Sequence, residues 1–597
     1  MSGKESESQR SQSKREYTEI SMWMRYDAGM RKLLAAALLL ILCVPVPARA
    51  QAYNAKPKLV VILVIDQFRG DYLDRYRDSF ATANGFNLFL KKGAYFGSCY
   101  FDYANTKTAP GHATIGTGAY TDGHGIGSNE WWDLSRNTDR VISSVEDERY
   151  RIVGNFEDVP VVPGALVKPT DARIGASPLN ERATTIGDEV RLATGGQAKL
   201  FGISLKDRAS ILPSGQTANA AYWIDQATGR FVTSTYYMAK LPEWVVKFNT
   251  GPRIMQAVKE AGLDDTTQFY NMVGRTPAAN SYELDFAKAL IENEKLGQGP
   301  VTDVLTVSLS ANDILGHQMG PDSDDEKAMV LALDKTVGLG NVMVAFTADH
   351  GVAPVPSVSA ALGVASAKVD LDQLSAGLEA ALNKRFSLAG AAKKHYLLPS
   401  QELPYLELDP RAFPKTVTER EAEQAVVDAV PAAMRALGPP ALPVNNTTIV
   451  EGDRKYNEAR VDAAPQIAFL RSRVDLADGK IPATQFGELI AHSYSANGDW
   501  YVMLFPTAYQ MEYDSGIQTT HYSPWSYDRH VPLGFYGAAF APGYYRQQVA
   551  PVDIAATFAS ILRVNQPSSI EGHVLTQVMK PDTGSNAMHV SKKGAAK

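Results

Sequence analysis

The stretch KLVVILVID, residues 58–66, decides the fold. Its apolar run 59–65 is short, rich in β-branched residues and unbroken by polar alternation. That is the pattern of a strand covered on both faces in a parallel sheet, not of a half-exposed surface strand. It ends on a carboxylate, Asp66. The pattern returns in VLTVSLS (304–310), followed by Asp313 and His317, and in NVMVAFTADH (341–350), which closes on Asp349 and His350. Strands are expected over 58–65, 198–205, 304–309, 341–348, 499–505 and 531–537. Helices are expected over 251–262, 282–294, 325–338, 416–436 and 552–563. Strands alternating with helices indicate an α/β fold with a mostly parallel central sheet.

In such sheets ligands bind beyond the carboxyl ends of the strands. Asp66, Lys206, Asp313 and Asp349 all fall at such ends, so one pocket can collect them. The i, i+4 spacing of Asp313 and His317 puts both on one helical face. With His350 and His521 they make a set of three carboxylates and three imidazoles, enough for two zinc ions at tetrahedral count. Between the first two strands lies TKTAPGHATIGTG (106–118), a hydroxyl-bearing turn running into a helix. Pro110 suits the first turn of that helix, which places Thr108 at its N-terminus, where backbone N–H groups and the helix dipole favour a phosphate. Two metal ions about 4 Å apart can clamp the attacking and leaving oxygens of a phosphate ester. Thr108, counted as a metal ligand too, would be held as an alkoxide and would carry the phosphoryl group before water releases it. These residues describe a two-metal phosphate-ester hydrolase with a threonine nucleophile.

The chain has 597 residues, 45% apolar and 21% charged, room for one large domain with insertions or for two domains. A net charge of −6 gives no basic footprint, which disfavours nucleic acid as the main partner. Residues 30–50, MRKLLAAALLLILCVPVPARA, have a basic start, an apolar centre and the small-residue end Ala48-Arg49-Ala50. They are expected to be a signal peptide cut after Ala50, leaving no membrane span and a periplasmic or secreted protein. Of the two cysteines, Cys43 would leave with that peptide and Cys99 would remain as a buried free thiol. The expected organisation is an extension and signal peptide over 1–50 and a catalytic core over 51–360, with a smaller insertion near 130–195. A large insertion or cap over 361–498, a final core segment over 499–580 and a tail over 581–597 complete it.

The segments around Asp66, Thr108, Asn129, Lys206, Asp313/His317, Asp349/His350 and His521 resemble the alkaline phosphatase superfamily. They are most similar to its PafA-type members, neighbours of the nucleotide pyrophosphatase/phosphodiesterases. The resemblance implies a three-layer sandwich and makes Thr108 in TAPGHATIGTG the nucleophile. It implies a phosphate-binding Asn129 in GIGSNEWWD, and Lys206 and Arg208 as the family's Lys-x-Arg pair. One zinc would sit on Asp313, His317 and His521, and the other on Asp66, Asp349 and His350. Where the family commonly has glycine after the last histidine, this chain has Tyr522, and His530 is the alternative last ligand.

The plainer readings are also open at single positions. An Asp at a strand end is commonly a turn or helix cap. Strand alternation would put Lys206 and Arg208 on one face, suited to one phosphate. His112 and His124 read as structural hydrogen-bonders. Arg69-Gly70-Asp71 is a chance adhesion tripeptide, and Gly116, Gly118, Gly123, Gly125 and Gly127 lack the ending of a nucleotide P-loop. The function expected is an exported alkaline phosphatase acting on small phosphate monoesters. Hydrolysis of diesters or nucleotide pyrophosphates on the same metals is the runner-up, and a non-catalytic zinc-stabilised surface protein the third reading.

Overall fold

The computed structural model describes residues 57–580 except 137–139, 157–172, 266–267, 337–341, 388–391, 439–448, 452–453, 457–464 and 513–516. The expected leader, the extension before it, Cys43 and the tail from 581 lie outside the described residues.

The deciding stretch forms strand β1 (Leu59–Ile65), with every residue buried. In chain order it is followed by β2 (Ala94–Tyr100), β3 (Glu146–Val153), β4 (Ile174–Ala176) and β5 (Leu200–Ser204). Next come β6 (Ala220–Ile224), β7 (Phe231–Ser234), β8 (Asp303–Leu309), β9 (Met343–Thr347), β10 (His530–Tyr536) and β11 (Gly543–Tyr545). These form one 11-stranded sheet in the spatial order β11-β2-β10-β9-β1-β8-β5-β6-β7-β3-β4.

The middle of the sheet, β9-β1-β8-β5-β6, is parallel throughout. Strand β10 runs antiparallel to both β9 and β2, and β7, β3 and β4 continue antiparallel on the other side. The sheet is therefore mixed, with its parallel strands at the centre. This follows from covering: β1, β5, β8 and β9 are buried along their whole length, as strands flanked by crossover helices must be. By contrast β3 shows exposed positions and needs no helix on both faces.

Two helical groups complete the three layers. One contains Arg253–Glu260, Pro277–Glu294 and Asp324–Thr336; the other contains Thr108–Thr117, Ile186–Ala193 and Asp553–Leu562. The first group is locked to the sheet by aromatic stacking, with Phe231 and Phe286 rings 3.7 Å apart. Cys99 is buried and free on β2.

Register places the site. Ile65 pairs with Leu309 and Val64 with Thr347, so β1, β8 and β9 end level with one another. Asp66, the turn before Asp313 and the Asp349-His350 pair then leave the sheet at the same edge.

The expected insertion has its own core, built from helices Leu371–Phe386 and Glu419–Ala436 and the three-stranded sheet Tyr405–Glu407, Tyr501–Pro506 and Ile467–Ser472. The strand expected over 499–505 forms, but within this small sheet and not the central one. The chain rejoins the central sheet at His530. Two residues from the site's edge, Ala353 and Tyr522, are buried in the cap's core, so the cap is packed directly on the site loops.

Candidate metal centre and nucleophile

Asp66, Asp349 and His350 place ligand atoms within 4.8 Å of one another, and so do Asp313, His317 and His521. In the first group His350 Nε2 lies 3.4 Å from Asp66 Oδ1 and 3.4 Å from Asp349 Oδ2. In the second, Asp313 Oδ1 lies 3.2 Å from His317 Nε2 and 3.6 Å from His521 Nε2. The groups abut, with the rings of His350 and His521 stacked at 3.5 Å.

Each imidazole is presented the same way. The Nδ1–H of His317 donates to the Thr519 carbonyl (2.9 Å), that of His350 to Gly351 (2.9 Å) and that of His521 to Thr106 (2.7 Å). A carbonyl can only accept, so these bonds fix the tautomer and leave Nε2 with a lone pair facing the carboxylates. Burial holds His350 near a pKa of about 3 and lowers that of His521, which keeps both neutral. His317 goes the other way: burial works against its charge, but Asp313 beside it raises its pKa.

The carboxylates carry the matching strain. Burial, then the charges of Asp313 and Asp349, push Asp66 well above the usual carboxylate range. Burial also acts to raise Asp313, but Lys206 and His317 bring it well below that range. Asp66 Oδ1, Asp349 Oδ2 and His350 Nε2 are buried with no hydrogen-bond partner among the described residues. Such orphaned atoms are costly unless something charged satisfies them. An oxygen- and nitrogen-binding divalent cation fits this donor set.

Thr108 opens the helix Thr108–Thr117 and is 1% exposed. Its chain neighbours touch both groups: Thr106 accepts from His521, and His112, whose Nδ1–H donates to the Thr108 carbonyl (2.8 Å), lies 3.3 Å from Asp349 Oδ2. Gly111 is needed for this approach, because a Cβ there would stand 2.3 Å from the Asp349 carbonyl oxygen. The helix N-terminus that carries Thr108 is thus wedged between the two ligand groups. Asn129 Oδ1 accepts the Ala109 N–H at 2.8 Å, which fixes that side chain over the same helix end.

Lys206 and Arg208 do not lie on a strand. Strand β5 stops at Ser204, Lys206 precedes the short helix Asp207–Ile211, and Arg208 lies in its first turn. The alternation argument therefore does not apply to them. The charges of Asp66 and Asp313 nonetheless act on both cations. Lys206 Nζ lies 2.6 Å from Asp66 Oδ2 and 2.5 Å from Asp313 Oδ2, between the two groups. Arg208 lines a cavity with Asn129.

His112, His124, His530 and the tripeptide are accounted for by packing. His112 reaches Ser308 Oγ (2.7 Å); His124 meets Thr114 Oγ1 (3.2 Å) and accepts the Ile126 N–H (3.0 Å). His530 stacks on Tyr100 at 4.5 Å, away from either group. Arg69 and Asp71 pair with each other at 2.9 Å.

Two residues were missed by sequence reasoning. Gln67, held at φ +59°, donates its backbone N–H to Asp349 Oδ1 (3.1 Å) and its Nε2–H to Asp313 Oδ1 (2.7 Å), tying the groups together. Asp528 accepts from the Ser523 hydroxyl (2.5 Å) and from the N–H groups of Ser523 (3.0 Å) and Tyr522 (3.3 Å), fixing the turn after His521. Tyr522, the departure from the family pattern, is buried, and its hydroxyl accepts the Glu512 N–H at 2.9 Å. It anchors the His521 loop to the cap.

A buried hydroxyl at a helix end, flanked by two carboxylate–imidazole groups beyond the edge of an α/β sheet, defines a metal-dependent hydrolytic centre. Residues 60–475 match the family model described as type I phosphodiesterase/nucleotide pyrophosphatase, and the chain belongs to that family. It is 30% identical to alkaline phosphatase PhoV of Synechococcus elongatus, over 88% of this chain and 94% of that protein. It is 32% identical to a Myroides odoratus protein named calcium-transporting ATPase, over 88% and 95%. For alkaline phosphatase PafA of Elizabethkingia meningoseptica the figures are 29%, 89% and 96%. The crystal structure of wild-type PafA superposes with a TM-score of 0.69 at 28% identity, covering 88% of this chain and 99% of PafA. Within the alkaline phosphatase superfamily the chain is an enzyme of the PafA-like kind. Among the described residues no helix is long and apolar enough to cross a membrane.

Proposed function

We propose that this protein is an exported alkaline phosphatase that holds two zinc ions and hydrolyses small phosphate monoesters through a phosphothreonine at Thr108. The observation that carries the reading is that Thr108 opens a helix whose neighbouring residues Thr106 and His112 each touch one of two candidate ligand groups. Asp66, Asp349 and His350 would hold one ion, and Asp313, His317 and His521 the other. When bound, the ions supply Lewis-acid charge that offsets the phosphoryl oxygens and favours the ionised hydroxyl.

The chain's own residues do the rest. Thr108 Oγ gives up its proton to solvent and attacks phosphorus. As the new P–O bond forms, the P–O bond to the substrate alcohol breaks and that oxygen leaves, taking a proton from solvent. The phosphoryl group then rests at the helix N-terminus, whose dipole favours it. Asn129, with its carbonyl oxygen already engaged by Ala109, has its amide nitrogen to donate to a phosphoryl oxygen. Arg208 and Lys206 supply two cations for the nonbridging oxygens of a dianionic group. Water attack then breaks the Thr108 ester and returns the hydroxyl.

The family model's own description favours a second reading, hydrolysis of phosphodiesters or nucleotide pyrophosphates. Turnover of an aryl phosphate monoester compared with its methyl-capped diester separates the two. A monoester preference of tenfold or more is expected. A diester preference would install the second reading, and no turnover of either ester would favour a non-catalytic metal-stabilised protein.

A further inference from the structure

A cavity of about 370 Å³ opens where the cap meets the segment after the nucleophile helix. Its size suits a small ligand. Asn129 and Arg208 form part of its wall, and Arg208 Nε is buried without a hydrogen-bond partner among the described residues. A phosphoryl group held by these two would therefore direct its ester substituent into this cavity.

The same lining also carries carboxylates. Glu130 comes from the hairpin strand Glu130–Trp131, and Glu402 and Glu407 come from the cap. Glu402 is already neutralised by Lys107 Nζ at 2.7 Å. Glu130 and Glu407 are in no ion pair among the described residues; Glu407 accepts the Trp132 N–H at 3.3 Å. The hydroxyls of Tyr405 and Tyr501 are turned to the carbonyls of Ser493 (2.7 Å) and Ser495 (3.1 Å), so their rings supply apolar surface to the wall. The lining thus joins an amide and a guanidinium suited to an anion with carboxylates suited to a cation.

We infer that this cavity is the leaving-group subsite and that it selects phosphate monoesters of amino alcohols, whose ammonium sits by Glu130 and Glu407, over esters of anionic alcohols. This rests on the phosphomonoesterase reading above. Above about pH 8, where Glu407 is ionised, a second anionic group on the alcohol would meet two carboxylates, and like charges repel. Burial, with the charges of Glu402 and Asp499, pushes Glu407 up to about 8, and an ammonium beside it would restore its ionised form.

The test uses the metal-loaded full chain at about pH 9, above the point where Glu407 ionises, and three esters of similar size: 2-aminoethyl, propyl and 2-carboxyethyl phosphate. Phosphate release gives kcat/KM for each. The wild type is expected to favour the aminoethyl over the carboxyethyl ester by roughly tenfold or more, from two partly exposed charge contacts. Glu130→Gln with Glu407→Gln should reduce that ratio about tenfold, and comparing ratios between variant and wild type cancels each ester's intrinsic reactivity. Raising the salt should shrink the wild-type ratio as well, a measurement that stands even if the variant does not fold. Turnover of propyl phosphate with a ratio that neither the substitutions nor salt change overturns the subsite while leaving the phosphatase reading intact. No turnover of any of the three overturns that reading and the inference with it.

Discussion

The two ligand groups use the same two kinds of atom, carboxylate oxygen and imidazole nitrogen, but are held in different ways. Asp66, Asp349 and His350 hang from the level ends of two adjacent strands, and their side chains are 0% exposed. Asp313 and His317 come from a helix, Ala311–Met319, and His521 from a loop that the cap and Asp528 hold down. The His317 side chain is 23% exposed. The strand-end group is positioned by backbone register, which cannot shift without breaking the sheet. The other depends on a helix and a separate loop keeping their places. The segment carrying Thr108 touches both groups, through Thr106 on His521 and His112 on Asp349.

Substitution of the nucleophile should give the largest effect. Thr108→Ala is expected to lower turnover by roughly three to five orders of magnitude and abolish phosphoryl-enzyme, with metal content unchanged. Thr108→Ser, which keeps the hydroxyl and its helix-end position, should retain substantial activity. Mass spectrometry of acid-quenched wild type should find the phosphate on Thr108; phosphate on another residue would sink the assignment.

Lys206→Ala with Arg208→Ala comes next. Each charge-assisted hydrogen bond is worth about 1.5–3 kcal/mol, so monoester kcat/KM should fall by roughly two to four orders of magnitude. Diester hydrolysis should fall less. Equal losses, with loss of metal, would mean that Lys206 serves mainly to neutralise Asp66 and Asp313, the pairing it makes in the structure.

What was legible in the sequence follows the same division. Asp66, Asp349 and His350 could be read from their own strands, because a buried parallel strand announces itself as an apolar run and its end is a ligand position. Asp313 and His317 could be read from helical spacing. His521 could not be chosen over His530 from residues alone, since both lie just before the same strand. Their difference is tertiary: one ring meets Asp313, the other stacks on Tyr100. Gln67 and Asp528 carry no sequence signal, because their roles come from a left-handed backbone turn and from a contact across a loop. In the cap, the helix expected over 416–436 and the strand expected over 499–505 form, whereas strands Tyr405–Glu407 and Ile467–Ser472 gave no signal, being short and without a clear periodic pattern.

Metal retention sharpens the contrast between the groups. Graded chelation should remove the ion on Asp313, His317 and His521 first, with an affinity about 10–100-fold weaker than that of the strand-end group. Elemental analysis after partial chelation should pass through a plateau near one ion per chain, and His317→Ala should start at that plateau. Simultaneous loss of both ions would mean that Gln67, which bonds to a carboxylate of each group, couples them into one unit.

The smallest effect is a pH dependence at Asp528. Burial pushes its carboxyl up to about 7, although the Ser523 hydroxyl and the backbone N–H groups of Tyr522 and Ser523 oppose this. In the unfolded chain the group titrates near about 3.9. Between these values the folded protein binds a proton that the unfolded chain has lost. The contribution to stability is therefore full below about pH 4, declines as pH rises and is gone above about 7. Because a buried site relaxes when it ionises, the loss should be about 1–2 kcal/mol, below what the full shift would give. Asp528→Asn, which keeps an acceptor for the turn but cannot ionise, should remove this decline. Denaturant midpoints at pH 5 and pH 8 for the two proteins provide the measurement, with wild type losing ground to the variant at the higher pH. A constant difference between them would show that Asp528 does not change its protonation in that range and that the His521 loop is held by an ionised carboxylate throughout.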